Sequence, residues 1–132
     1  MPPEHPPRVA LDLGGQQLVF VRVDDDRYAA ELAGERRPIR TREERRTSSE
    51  TGRSEPLGSN RSHGAVASID PVLRCLALGA QPTAIAEGVQ LSAIDNWGHF
   101  RQNTFLRVAI TIASDGAIEI AADIGEQDES YY

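Results

Sequence analysis

Large apolar residues fall into a few short runs separated by polar stretches, and the spacing within each run limits what it can form. From Leu106 to Ile124 the pattern alternates: Leu106, Val108, Ile110 and Ile112 are followed, beyond Asp115-Gly116, by Ile118, Ile120, Ala122 and Ile124. Period-two spacing puts each set on one face of a strand, so this segment predicts a β-hairpin. Register selects its loop. A two-residue turn would set Ile112 opposite Glu119, whereas a three-residue loop over Ser114 to Gly116 pairs Ile112 with Ile118 and Ile110 with Ile120, with Gly116 as the left-handed residue.

A second hairpin is predicted in "RVALDLGGQQLVFVRVDDD", where Val9, Leu11 and Leu13 precede Gly14-Gly15 and Val19, Val21 and Val23 follow. Asp24 to Asp26 form a polar turn, and "RYAAELAG" fits a third strand or a short helix ended by Gly34. In "DPVLRCLALGA" Asp70 is the expected N-cap, and Pro71 loses nothing at the first helical position. Val72, Leu73, Leu76, Ala77 and Ala80 make the inward stripe of that helix. Pro82 interrupts it, and "PTAIAEG" reads as a second short helix ended by Gly88. "VQLSAI" offers a strand, and "DNWGHF" a loop carrying Trp97. The predicted fold is α+β: a small antiparallel sheet from two hairpins, with a broken helix over residues 70–88 packed on it.

Charge changes this picture between residues 35 and 65. That stretch holds eight arginines against five glutamates, a net +3, so the rest of the chain carries −9 of the formal −6 total. Its only large apolar residues are Ile39 and Leu57, too few to offset the entropy of ordering the backbone. It is expected to be a long disordered insertion. The predicted organisation is a Pro-rich tail over 1–8, a hairpin region over 9–34, the Arg-rich linker over 35–65, helix plus hairpin over 66–124, and an acidic tail over 125–132.

Composition limits the chemistry. At 132 residues and a mean hydropathy of −0.41 the chain has room for one modest core and carries no apolar run suited to a membrane span. "MPPEHPPR" lacks the features of a secretory signal, so a cytoplasmic location is expected. Cys75 is the single cysteine, which excludes an internal disulfide, multi-cysteine metal sites and two-cysteine peroxidase chemistry. His5, His63 and His99 have no metal-type spacing. All 14 basic residues are arginine, so mechanisms needing a phosphate-binding or Schiff-base lysine are excluded.

Several segments, taken in order, resemble the Hsp70 (DnaK-type) chaperone family. "IDPVLRCLALGAQ" is similar to the late segment of its nucleotide-binding domain, where Asn or Asp followed by Pro leads into a helix, and "EPLGSNRS" is similar to the Glu-Pro-Asn-Arg before it. "VALDLGGQQLVFVRVDDD" resembles the first phosphate-binding hairpin of the family, with Gly15 and Gln16 where it has threonines. "GHFRQNTFLRVAITIASDGAIEIAAD" resembles the end of its β-rich substrate-binding domain. The resemblance implies a chaperone-related module that binds unfolded or extended polypeptide without complete ATPase machinery. No cofactor is expected for that module; the alternative the resemblance implies is an ATP-binding remnant of an actin/Hsp70-type ATPase, with Asp12, Gly14, Gly15 and Gly79 as nucleotide-contacting positions and Mg-ATP as its ligand.

Two other function classes follow from the residues themselves. The Arg-rich segment offers cations to nucleic acid, but Glu35, Glu43 and Glu44 dilute its field and no aromatic residue is interleaved for stacking, which makes nucleic acid the weaker partner. Asp95 and His99 are close enough in sequence to pair, yet no nucleophile accompanies them. Cys75 lacks a basic neighbourhood that would activate it and is expected to be a packed helix residue.

Overall fold

The computed structural model describes residues 5–47, 54–56, 61–62, 64–96 and 102–128. The elements, in order, begin with β1 (Arg8–Leu13), β2 (Gln16–Asp24), β3 (Arg27–Leu32) and β4 (Glu35–Arg37). They continue with β5 (Ile39–Thr47), β6 (Ser54–Pro56), β7 (Arg61–Ser62), β8 (Val66–Ser68) and α1 (Asp70–Ala77). The last are β9 (Thr83–Ile85), β10 (Gly88–Asn96), β11 (Gln102–Ile112) and β12 (Ile118–Asp128).

Two sheets result. The first has the order β1-β2-β3-β4, with β8 pairing the half of β3 that β4 leaves open. The second runs β6-β5-β12-β11-β10-β9, with β7 also on β5. Side chains of both sheets meet in one core, where Leu18, Phe20 and Tyr28 from the first join Leu91, Val108, Ile110 and Ile118 from the second. The α+β expectation is therefore wrong. The molecule is mostly β, a two-sheet packing in which one eight-residue helix is a minor contributor.

The first half of the expected disordered insertion is corrected with it, because residues 35–37 and 39–47 are strands. Pro38 sits between β4 and β5, and there the chain leaves the first sheet for the second. Lacking an N–H, Pro38 ends one ladder while its carbonyl accepts from Ile118 at 2.8 Å, which starts the next. β5 then runs parallel to β12 from Ile39↔Ile118 to Thr47↔Glu126. Backbone pairing supplies what the apolar count could not: only Ile39 of this strand is fully buried among its described side chains. Within the same stretch, residues 48–53, 57–60 and 63 lie outside the described residues.

The C-terminal hairpin forms in the register its alternation selects, Ile112↔Ile118 and Ile110↔Ile120. Ala113 donates to the Ala117 carbonyl at 2.8 Å, and Gly116 adopts φ +89°. The first hairpin differs from expectation on one side. Its two-residue Gly14-Gly15 turn sets Leu11 against Leu18 and Val9 against Phe20, so the even positions of β2 face the core. Leu18 and Phe20 are fully buried; of the expected set Val19 is buried and Val23 is 44% exposed. "RYAAEL" is the third strand of this meander, and 125–128 of the expected acidic tail belong to β12.

The helix is capped one residue earlier than expected. Ile69 is the N-cap, with no side-chain hydrogen bond, and Asp70 lies in the first turn beside Pro71. Asp70 instead approaches His5, with Nε2 to Oδ1 at 3.4 Å. Val72, Leu73 and Cys75 enter the core, Leu76 and Ala80 pack partly against it, and Ala77 faces solvent. Residues 5–7 are tied down as well. The Tyr28 hydroxyl donates to the Pro6 carbonyl at 2.6 Å, and the Arg22 amide donates to Pro7 at 3.0 Å. Burial pushes the Tyr28 phenol up, which keeps it protonated as a donor.

Arginines expected in a solvated linker clasp the hairpin. Arg40 pairs with Asp115 in its loop and with Glu119 at 3.5 Å, and Arg37 packs over Gly116, where a Cβ would come within 2.7 Å of Nη1. The Ala117 amide and the Arg40 guanidinium together hold the Asp115 carboxyl below its ordinary range. A depressed folded-state pKa contributes stability above the ordinary carboxylate value that is lost as pH falls through the folded one. Asp115→Asn is therefore expected to be less stable than the native protein at pH ~7, with the difference shrinking at pH ~2, below the ordinary carboxylate range. Urea denaturation at both pH values measures it, and a difference that persists in acid rules out the charge as its source.

Gly88 makes the second prediction. A Cβ there would come 2.1 Å from the Ile110 carbonyl oxygen, part of the backbone against which β10 is laid. Gly88→Ala is expected to lower stability by about 1–3 kcal/mol, because two strands must separate. Chemical denaturation reads this directly, and a neutral result would mean that the strands yield freely.

Candidate functional site

The positions expected to touch nucleotide do not converge. Gly14 and Gly15, at φ +57° and +90°, make the β1-β2 turn, and the Gly15 amide donates to Asp12 Oδ1 at 3.1 Å. The Asp12 carboxylate thus closes its own turn, as Asp does before a Gly pair. Gly79 ends α1: its amide donates to Leu76, and that of Ala80 donates to Cys75, both at 3.0 Å, with Gly79 at φ +84°. That pattern is a Schellman termination, which needs a left-handed residue and no ligand. Gly79 lines a groove that Asp12, Gly14 and Gly15 do not reach.

The other candidates disperse too. Arg36 pairs with Glu31 at 3.5 Å and Arg37 with Glu35 at 3.3 Å, so with Arg40 three arginines of the basic segment already face carboxylates. Asp95 is on β10, while His99 and Trp97 lie outside the described residues. Among the described residues no three His, Cys, Asp or Glu side chains gather as a metal site. No helix among them is long and apolar enough to cross a membrane. Cys75 is fully buried, and burial pushes its thiol up to about 11.

The groove at Gly79 is the feature that local chemistry builds. It measures about 670 Å³ and is lined by Leu78 to Gln81, by Ser92 to Ile94 of β10, and by Phe105 to Arg107 of β11, with Asp123 and Gly125 of β12. It opens where β9 stops covering β10. β9 pairs with β10 only over Thr83↔Gln90 to Ile85↔Gly88. Continued backwards, that register would set Pro82 against Leu91 and Gln81 against Ser92. Because Leu91 turns its main-chain groups toward β11, Pro82 would stand at a non-hydrogen-bonded position where its missing N–H costs no bond, and the chain leaves the ladder before Gln81 pairs with Ser92. The four residues before Pro82 instead line the groove, and no backbone hydrogen bond among the described residues joins them to β10.

The edge left behind is polar in its backbone and apolar in its side chains. Ile112 donates to the Glu87 carbonyl at 3.2 Å, and the alternation of an antiparallel ladder then points the main-chain groups of Leu91 and Ala93 at β11 and those of Ser92 and Ile94 away from it. Ile94 is 54% exposed and Phe105 37%, and the two are directly opposite in register. Sequence reasoning passed over them because both stand out of phase with the buried positions beside them. That phase error is itself the signal: a large apolar residue at the polar parity of a strand, as Phe105 before Leu106 and Ile94 after Ala93.

No protein-family model, no curated protein and no solved structure matches the chain. Cys75 yields the prediction of this site. With its thiol moved from 9.0 to about 11, the folded protein holds roughly a hundredfold less thiolate at pH ~8 than the unfolded chain. Thiol-reagent labelling of the native protein is expected to be slower by at least that factor and to accelerate in urea; equal rates in both states would contradict its burial.

Proposed function

We propose that the protein is a non-catalytic module that binds extended polypeptide as an added strand on the open part of β10. One observation carries the reading: main-chain groups of Ser92 and Ile94 that point away from β11 and meet no partner among the described residues lie beside an exposed Ile94–Phe105 pair and an adjoining groove. Strand addition takes affinity from main-chain hydrogen bonds and selectivity from pockets for alternate side chains, and this edge supplies both. The chaperone-like resemblance of the C-terminal hairpin points to the same class of partner. Neither the ATP reading nor the nucleic-acid reading has comparable support, since the nucleotide positions are apart and several arginines are paired.

The test is fluorescence anisotropy with a labelled seven-residue apolar peptide, with and without Mg-ATP. Saturable binding indifferent to ATP is expected. Phe105→Ser is expected to weaken it about tenfold, the loss of one aromatic contact. A peptide N-methylated at alternate residues, unable to donate to a ladder, is expected not to bind. Equal binding of the methylated peptide would overturn strand addition, and no binding of either peptide would overturn the reading altogether.

A further inference from the structure

Arg107 gives the groove a chemical preference. It is exposed, it is the only cation among the described residues lining the groove, and among the described residues it makes no hydrogen bond or ion pair. This sets it apart from Arg36, Arg37 and Arg40, each of which is engaged by a carboxylate. Asp123 lies directly across the ladder on β12 and lines the same groove. On the other side, in β10, the residue opposite Arg107 is Ser92.

Ser92 is what makes the cation reachable. A strand added to β10 would lie two strand spacings from β11, about 10 Å. An arginine side chain covers most of that span, and the intervening serine is too short to block it. Two residues along, on the same face, the added strand would pass Ile94 with Phe105 behind it. Successive side chains of a strand alternate between faces, so only residues of one parity meet both features.

Resting on the polypeptide reading above, we propose that the ligand is an acidic-apolar peptide: a carboxylate over Ser92 paired with Arg107, and an apolar side chain two residues away on Ile94 and Phe105. Charge-assisted pairing with guanidinium at a partly exposed site is modest, so the carboxylate sets selectivity more than affinity. Aspartate, glutamate and a free chain end share this chemistry.

The experiment uses the full chain and labelled, amidated seven-residue peptides with a common apolar centre. One is neutral, one carries glutamate two residues from the apolar anchor on each side, and one carries it three residues away on each side. The two-residue peptide is expected to bind about three- to tenfold tighter than the neutral one at low salt. That ratio is expected to fall to about one in Arg107→Gln and in ~0.5 M salt. The three-residue peptide is expected to gain less, because its carboxylates project from the other face. A free-acid version of the neutral peptide tells a chain end from a side chain, and a gain from either supports the proposal. Equal affinities for neutral and acidic peptides would overturn the proposal while leaving strand addition intact, as would a preference that persists in Arg107→Gln. Failure of every peptide to bind would overturn both.

Discussion

The parallel ladder between β5 and β12 is the connection on which the two-sheet arrangement depends. It joins residues 39–47 to residues 118–126 and so brings the end of the first meander into the middle of the sheet built by the last hairpin. Little of its strength comes from apolar burial in β5, where Ile39 alone is fully buried among the described side chains. It is held by main-chain hydrogen bonds and by Arg40 reaching Asp115 and Glu119. An otherwise unfavourable strand can be ordered when a preformed apolar hairpin lies beside it, because pairing then satisfies one of its edges with little further loss of entropy.

The open edge of β10 is the counterpart of that closure. On the β5 side of the second sheet, β6 and β7 extend the ladder; on the other, β9 is three residues long and stops at Pro82. Natural sheets often blunt such edges with proline or charge, whereas Ser92 and Ile94 of the uncovered stretch carry neither. The Schellman turn at Gly79 reverses the chain just before β9, so helix termination and strand termination together shape the groove. Neither device requires conserved catalytic chemistry, which fits a surface that binds through backbone and shape.

Where alternation was strong, the sequence was legible. Leu106 to Ile124 specified a hairpin down to its register because only one loop length gathers Ile110, Ile112, Ile118 and Ile120 on one face. Alternation was ambiguous in β2, where "LVFVRV" is apolar at both parities, and only the two-residue turn decides that Leu18 and Phe20 face inward. It was absent in β5, whose order comes from a neighbour far away in sequence. "PTAIAEG" reads as helix by composition, yet forms β9 and a turn in which Glu87 takes φ +58°, an outcome set by pairing with β10. The groove was illegible for the same reason: Leu78, Ile94, Phe105 and Arg107 have no local motif, and only the ladder brings them together.

The crossing at Pro38 also bears on how such a chain must be made. A ribosome delivers β1 to β4 early, and they can pair among themselves, but their apolar face has no cover until β10 to β12 have emerged. β5, already synthesised, has only the short β6 and β7 to pair with until β12, nearly eighty residues downstream, has emerged. Vectorial synthesis therefore leaves a half-formed, sticky intermediate for most of translation, and the arginine and glutamate side chains of β5 keep that waiting strand solvated rather than prone to premature pairing.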